Sequence, residues 1–284
     1  MSPSTGESPG WWRLVRAIAW AGCLFAFVLP GRTAAQSYSF AVVPQFEQRQ
    51  LFATWKPIVD ELARRSGLDL RLATPLTLAE YERSLTAGAF DFVYVNPYHV
   101  VRMIDRQRYL PLVHDKVALR GILVVRKDSP IKSPKELDGQ TLAIPSYNAL
   151  GASLMVRADL EHLFDARVKP MVVNTHSSVY LNVVNGLAAA GGGVEKTLQQ
   201  QDEAVQDQLR VLYVTREMPS HPVAAHHRVP PEVRERLKRA FLDLAASERG
   251  KEMLSAVPMT EVVPTSLEEF LPMRAWGLDA YWVD

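Results

Sequence analysis

The sequence predicts an α/β protein of two units, each built on a mainly parallel sheet, with a ligand cleft between them. Strand and helix periodicities alternate from residue 38 onward. A long apolar strand and a polar, proline-punctuated stretch interrupt that alternation at residues 117–139, after which it restarts. Three strands also end alike. Asp91-Phe-Val-Tyr-Val-Asn-Pro-Tyr98, Leu142-Ala-Ile-Pro-Ser-Tyr-Asn148 and Met171-Val-Val-Asn-Thr-His-Ser178 each run through polar turn residues into a helix. In open α/β sheets ligands bind outside the carboxyl ends of the strands, so these turns mark the expected site.

The elements follow in order. Tyr38 to Val43 reads as a strand ended by Pro44-Gln45. Leu51, Phe52, Trp55, Ile58, Val59 and Leu62 recur at helical spacing over 49–66, and Gly67 stops the helix. Asp69 to Ala73 alternates as a strand, Leu78 to Ala87 is helical, and Phe90 to Val95 is a third strand. A helix at 97–107 and strands at 109–113 and 117–125 complete the first unit and cross to the second. There, strands at 141–144, 168–173 and 209–214 alternate with helices at 149–164, 177–187 and 195–205. Gly191-Gly-Gly193 lacks the Lys-Ser/Thr ending of a nucleotide loop and reads as a flexible connection. Pro222 to Arg228 is apolar enough for a strand. Pro230-Pro231 opens a helix at 231–247, and two short helices fill 249–284 around Pro264. These last helices have no sheet of their own and are expected to return to the first unit. The expected units are 36–118 with 230–284, and 119–229, joined by two crossings.

The N-terminus reads as a secretory signal. Arg13 and Arg16 precede an apolar run from Ala17 to Leu29 that is too short to span a bilayer, and Pro30 to Ala35 offers small residues for cleavage after Ala35. A retained anchor and lipidation at Cys23 are the alternatives. Cys23 is the only cysteine of the 284 residues, so a form cleaved after Ala35 has no thiol chemistry. Losing residues 1–35, with three Arg and one Glu, takes the formal net charge from +1 to −1. A near-neutral chain without a basic face is not built for nucleic acid. With 48% apolar residues it can build sizeable cores, and the expected location is the periplasm.

Several stretches together resemble the periplasmic solute-binding proteins for phosphate, phosphite and phosphonate, the cluster F or type II binding proteins of ABC transporters. They are Phe40-Ala-Val-Val-Pro-Gln45, Trp55-Lys-Pro-Ile-Val-Asp-Glu-Leu62, Gly88-Ala-Phe-Asp-Phe-Val-Tyr-Val-Asn-Pro97, Leu123-Val-Val-Arg-Lys-Asp-Ser-Pro-Ile131, Lys135-Glu-Leu-Asp-Gly139, Thr175-His-Ser-Ser178 and Val184-Asn-Gly186. The resemblance implies a two-domain type II periplasmic-binding-protein fold and no enzymatic activity, catalytic residue, metal or cofactor. It also implies capture of a small oxyanion, or an organic ligand, and delivery to an ABC permease. Ser177-Ser-Val-Tyr180 and the Gly-Gly-Gly-Val-Glu run resemble members found with two-component sensors, so partnership with a membrane sensor kinase is the alternative. Carried over by position, the family's contacts fall on Tyr94, Asn96, Gln45 and His176. Its hydroxyl cradle falls on Ala149-Leu150-Gly151, and its acidic positions fall within Ala188 to Gly193, where no acid stands.

Each candidate has a plainer reading. His176 can donate to an anion or simply occupy a capped first turn. Thr175, Ser177 and Ser178 are oxyanion contacts or N-caps. Tyr94 suits a cleft wall, Tyr98 a wall or the core, and Asn96 a cap before Pro97, a contact, or both. Tyr147 and Asn148 stand where the hydroxyl cradle is missing and are expected to replace it. His221, His226 and His227 do not make a metal site on this pattern, because no Asp, Glu or Cys joins them and adjacent strand residues face opposite ways.

Overall fold

The computed structural model describes residues 36–257 and 259–283. The expected signal segment, Cys23 and cleavage after Ala35 lie outside the described residues. The chain runs β1 (Ser37–Val42), α1 (Gln48–Ser66), β2 (Asp69–Ala73), α2 (Leu78–Thr86), β3 (Phe92–Tyr94), α3 (Pro97–Met103) and β4 (Tyr109–Asp115). It crosses into β5 (Leu119–Arg126) and β6 (Thr141–Ile144). A π-helical turn, Leu150–Met155, leads directly into α4 (Val156–Phe164). Then come β7 (Lys169–Val172), α5 (His176–Val184), β8 (Ala190–Val194), α6 (Glu195–Gln199), α7 (Glu203–Gln206) and β9 (Leu209–Met218). After the return come β10 (Val223–His226), α8 (Pro231–Ala245), α9 (Glu248–Ser255), β11 (Val262–Pro264) and three 3-10 turns ending at Tyr281.

Two sheets result, ordered β11-β4-β10-β3-β1-β2 and β7-β6-β8-β5-β9. The β-α-β units pair in parallel: β1 with β2 and β3, and β6 with β7 and β8. The strands nearest the crossings, β4, β5, β9 and β10, pair antiparallel. The expected boundary at 229/230 needs correction. β10 had been assigned to the second unit, yet it hydrogen-bonds to β3 and β4, so the chain has already returned to the first sheet by Val223.

Periodicity accounts for most of the packing. On α1, Leu51, Trp55, Ile58, Val59 and Leu62 are buried against the first sheet, while Phe52 falls off the stripe and is exposed. Gly67 caps it in the left-handed region, its N–H on the Ala63 carbonyl. The Gly191-Gly-Gly193 run is not a flexible connection: it is β8, buried at the centre of the second sheet. A Cβ on Gly192 would lie 1.9 Å from the Ala152 carbonyl oxygen, and one on Gly191 2.7 Å from Val179. The missing side chains let the Leu150 turn and α5 sit close on opposite faces of the sheet.

The C-terminal elements divide. α8 packs in the core of the first sheet, as expected. The final turns instead bridge the two lobes. Phe270, Met273 and Leu278 share a core with Tyr98 and Val101 of α3 and with Leu150, Leu154 and Met155. Tyr98 belongs to this core, its hydroxyl donating to Asp279 at 3.0 Å. At the crossings, the Asp115 carboxylate is fully buried and accepts from the N–H groups of Val117, Thr260 and Glu261, each at 3.1 Å. It also pairs with Lys196 of α6, across the lobes, at 2.5 Å. Burial alone would raise its pKa. Lys196 and the three backbone donors outweigh that and hold it below the usual carboxylate value. Ser220 of the return crossing donates to the Asp115 carbonyl, so both crossings are tied at one point.

Candidate ligand-binding cleft

A cavity of about 50 Å³ lies between the lobes. One wall is the end of β1 (Val43, Pro44, Gln45) with Asn96 after β3. The facing wall is Pro145 and Ser146 after β6, Ala149 to Ala152, Asn174 and His176 after β7, and Val194 at the end of β8. His221 of the return crossing completes it. The cavity therefore sits at the carboxyl ends of the parallel strands, where such sheets bind ligands. Roughly 10–15 Å³ holds one water, so this volume suits about four small groups, as in a tetrahedral anion. It opens into a groove of about 1800 Å³ that shares Pro44, Leu78, Pro145, Ser146 and Asn174 with it.

No charged side chain lines the inner cavity among the described residues; its polar groups are neutral. His176 begins α5 behind the Thr175 cap, whose hydroxyl accepts from Ser178 N–H at 3.1 Å. The imidazole is buried and its Nδ1 has no partner among the described residues. Burial lowers its pKa to about 4. His221 is lowered to about 3, first by burial and then by the charges of His176, His99 and Lys196. Both rings are thus neutral at pH 7. Gln45 Nε2 donates to His221 Nε2 at 3.3 Å, which leaves the His221 proton on Nδ1. Asn174 adopts a left-handed conformation at φ 71°, a strained setting that Asn tolerates better than most residues. The helix that starts at Leu150 presents its first turn to the cavity through Leu150, Gly151 and Ala152. The earliest N–H groups of a helix lack intrahelical acceptors and favour an anion.

The structure brings Gln45, Asn96 and His176 together at the cavity. Asn96 does both of its expected jobs. Its Oδ1 caps Tyr98 N–H at 2.9 Å, and its Nδ2 reaches across the cleft to the Asn148 carbonyl at 3.2 Å. Tyr94 is fully buried behind the cavity rather than in its lining, between Trp55 and the His221 ring, whose centroid is 5.5 Å away. Its hydroxyl has no partner among the described residues, and burial, with Asp115 nearby, pushes its pKa well above the usual phenol value.

The other four candidates stand elsewhere. Tyr147 and Asn148 line the outer groove and do not rebuild the missing cradle. The Tyr147 ring lies under the Arg157 guanidinium. The Asn148 carboxamide is taken up by protein: Nδ2 donates to Glu82 and to the Val283 carbonyl, and Oδ1 accepts from Val283 N–H. Ser177 and Ser178 are absent from the cavity lining. Thr175 is the cap of that turn.

Three cavity residues are not among the named candidates: Ser146 and Asn174, which lie within the turns that mark the expected site, and His221. The last had been grouped with His226 and His227. Those two share Gln107, through its side chain and its carbonyl, well apart from the cleft.

Two sheets joined by two crossings, with a small site at the strand ends between them, define the fold of the type II periplasmic binding proteins. The chain belongs to the family of periplasmic substrate-binding proteins of phosphonate ABC transporters, whose description matches residues 40–270. The phosphate-import protein PhnD of Mycolicibacterium smegmatis is 21% identical over 238 residues, covering 75% of this chain and 74% of that protein. PhnD1 of Prochlorococcus marinus, solved in complex with methylphosphonate, is similar in fold. Its TM-score is 0.77 at 12% identity, over 88% of this chain and all of that one (100%). The binding component of an ABC phosphonate transporter from Pseudomonas aeruginosa gives 0.74 at 15% identity, over 88% and 90%.

Proposed function

We propose that this protein captures a small oxyanion of the phosphate, phosphite and phosphonate class in the inner cavity and delivers it to an ABC permease without chemical change. The observation that carries this reading is the cavity itself, small enough for a tetrahedral anion and walled by unspent neutral donors. Ser146, Asn174 and His176 make no side-chain hydrogen bond to the protein among the described residues, nor does His221 Nδ1. Hydrogen bonds to a charged ligand are about twice as strong as neutral ones, so several of them around one anion meet its charge without a cation. In this reading the first domain is 36–118 with 223–284, and the second is 119–222. Periplasmic location through a leader cleaved after Ala35 belongs to the same reading. The family match and the curated relative point to import rather than to a sensor kinase.

A thermal-shift panel of phosphate, phosphite, methylphosphonate and acetate tests it, because a ligand that binds only the folded state raises Tm by mass action. The expected result is a rise with at least one phosphorus oxyanion and none with acetate. A rise with acetate alone would sink the reading.

A further inference from the structure

We propose that His221 is a ligand contact that donates from Nδ1 and does not discriminate between tetrahedral oxyanions. With Gln45 setting its tautomer and no carboxylate in the cavity wall, the site accepts a fully deprotonated tetrahedral oxyanion, sulfate being the simplest, as readily as one that carries an O–H. The inference rests on the oxyanion reading above and adds which anions the cavity accepts alike.

His221 occupies the crossing between β9 and β10, with its ring stacked on Tyr94 at an interplanar angle of 26°. Its Nε2 is engaged by Gln45, and its Nδ1 has no protein partner among the described residues. His176 stands in the same cavity wall with its Nδ1 buried and unpartnered. The wall contains no Asp or Glu among the described residues. Two carboxylates near the cleft are already committed. Glu82 pairs with His99 at 2.7 Å and accepts from Asn148, and Asp115 is surrounded by its donors at the crossings.

The chemistry of discrimination follows. A buried carboxylate in an anion site accepts a hydrogen bond only from a ligand O–H. Against a ligand with none, it faces bare like charge. Sites built on such a required hydrogen bond reject the analogue lacking it by about 10⁴-fold or more. This cavity has no such element. Its Ser, Asn and backbone groups donate, and a neutral imidazole offers an N–H or a lone pair according to tautomer, so His176 serves either type of ligand. The His221 Nδ1–H serves as a donor in both cases.

Calorimetric titration of the purified protein at pH 8 with sulfate, phosphate and methylphosphonate tests this. At that pH phosphate is a dianion that keeps one O–H, whereas sulfate keeps none. The expected result is a sulfate Kd within about ten-fold of the phosphate Kd, since no built element separates them. Phosphate or methylphosphonate binding with sulfate at least about 100-fold weaker would overturn the inference while leaving the oxyanion reading intact. No heat with any of the three would overturn the oxyanion reading and this inference with it. A second arm uses His221→Asp, which installs the missing acceptor. Sulfate affinity should fall at least about 100-fold further than phosphate affinity. Equal losses for both anions would contradict the placement of residue 221 against the ligand. His221→Gln covers the case in which the Asp variant fails to fold. It should shift sulfate and phosphate by the same factor, and a selective loss of sulfate alone would contradict the proposal.

Discussion

At the scale of single residues, the proposed function rests on two neutral imidazoles that line the inner cavity. His176→Gln should weaken binding of the true ligand by about 1–3 kcal/mol, the value of a hydrogen bond to a charged group. Unchanged affinity by calorimetry would remove His176 from the site. The same two side chains shape stability against pH. The unfolded chain takes up their protons near pH 6.5. The folded protein does so only near 4 for His176 and near 3 for His221. Between those values the unfolded state binds more protons, so stability is full above about pH 6.5 and falls as the solution is acidified. A Tm lower at pH 5 than at pH 7.5 is expected, with a smaller difference in the His176→Gln, His221→Gln double variant. An equal difference in both proteins would contradict this origin.

How much of the site was legible varied by residue. Gln45, Asn96 and His176 are named by the family resemblance, which carries the family's contacts to these positions, and all three line the inner cavity. Asn148 looked equivalent, but its amide is spent on Glu82 and Val283, partners distant in sequence. His221 was hidden because it lies on a strand-to-strand crossing without a helix, so no local pattern separates it from His226 and His227.

At the scale of elements, the glycine strand β8 is the informative case. Without side chains it has no apolar period, and three consecutive glycines read naturally as a loop. Its reason lies on both faces of the sheet, where Ala152 and Val179 approach within the space of a Cβ. Gly192→Ala should force the Ala152 carbonyl away, destabilising the protein by about 1–3 kcal/mol or more and weakening ligand binding, because Ala152 lines the cavity. Gly139→Ala is the control. It has open space around it but φ of 70°, so it should cost about 1–2 kcal/mol of backbone strain and leave affinity unchanged. Urea unfolding with parallel calorimetry checks both. Wild-type affinity in the Gly192 variant would contradict the packing account.

At the scale of the whole molecule, the two sheets, their β-α-β units and the double crossing could be read from periodicity and turn residues. The point of return could not. β10 is placed by its pairing with β3 and β4, a non-local choice, and the final turns lie across both lobes through a core with Tyr98 and Leu150. Asp115 holds the crossings together. Asp115→Ala leaves three backbone donors and Lys196 without their acceptor and should cost about 3–5 kcal/mol in urea unfolding, as for other broken buried pairs. Lys196→Met keeps the backbone donors on Asp115 and should cost less. A loss under about 1 kcal/mol for Asp115→Ala would contradict a structural role at the crossings.

The central claim is that the inner cavity binds one small oxyanion through neutral donors. Its most direct test is calorimetric titration of the wild-type protein and of His176→Gln with phosphate, phosphite and methylphosphonate at pH 7.5. The account predicts one-to-one binding of at least one of them to the wild type, weakened about five-fold or more in the variant. Absence of heat with all three, or equal affinity in the two proteins, would contradict it.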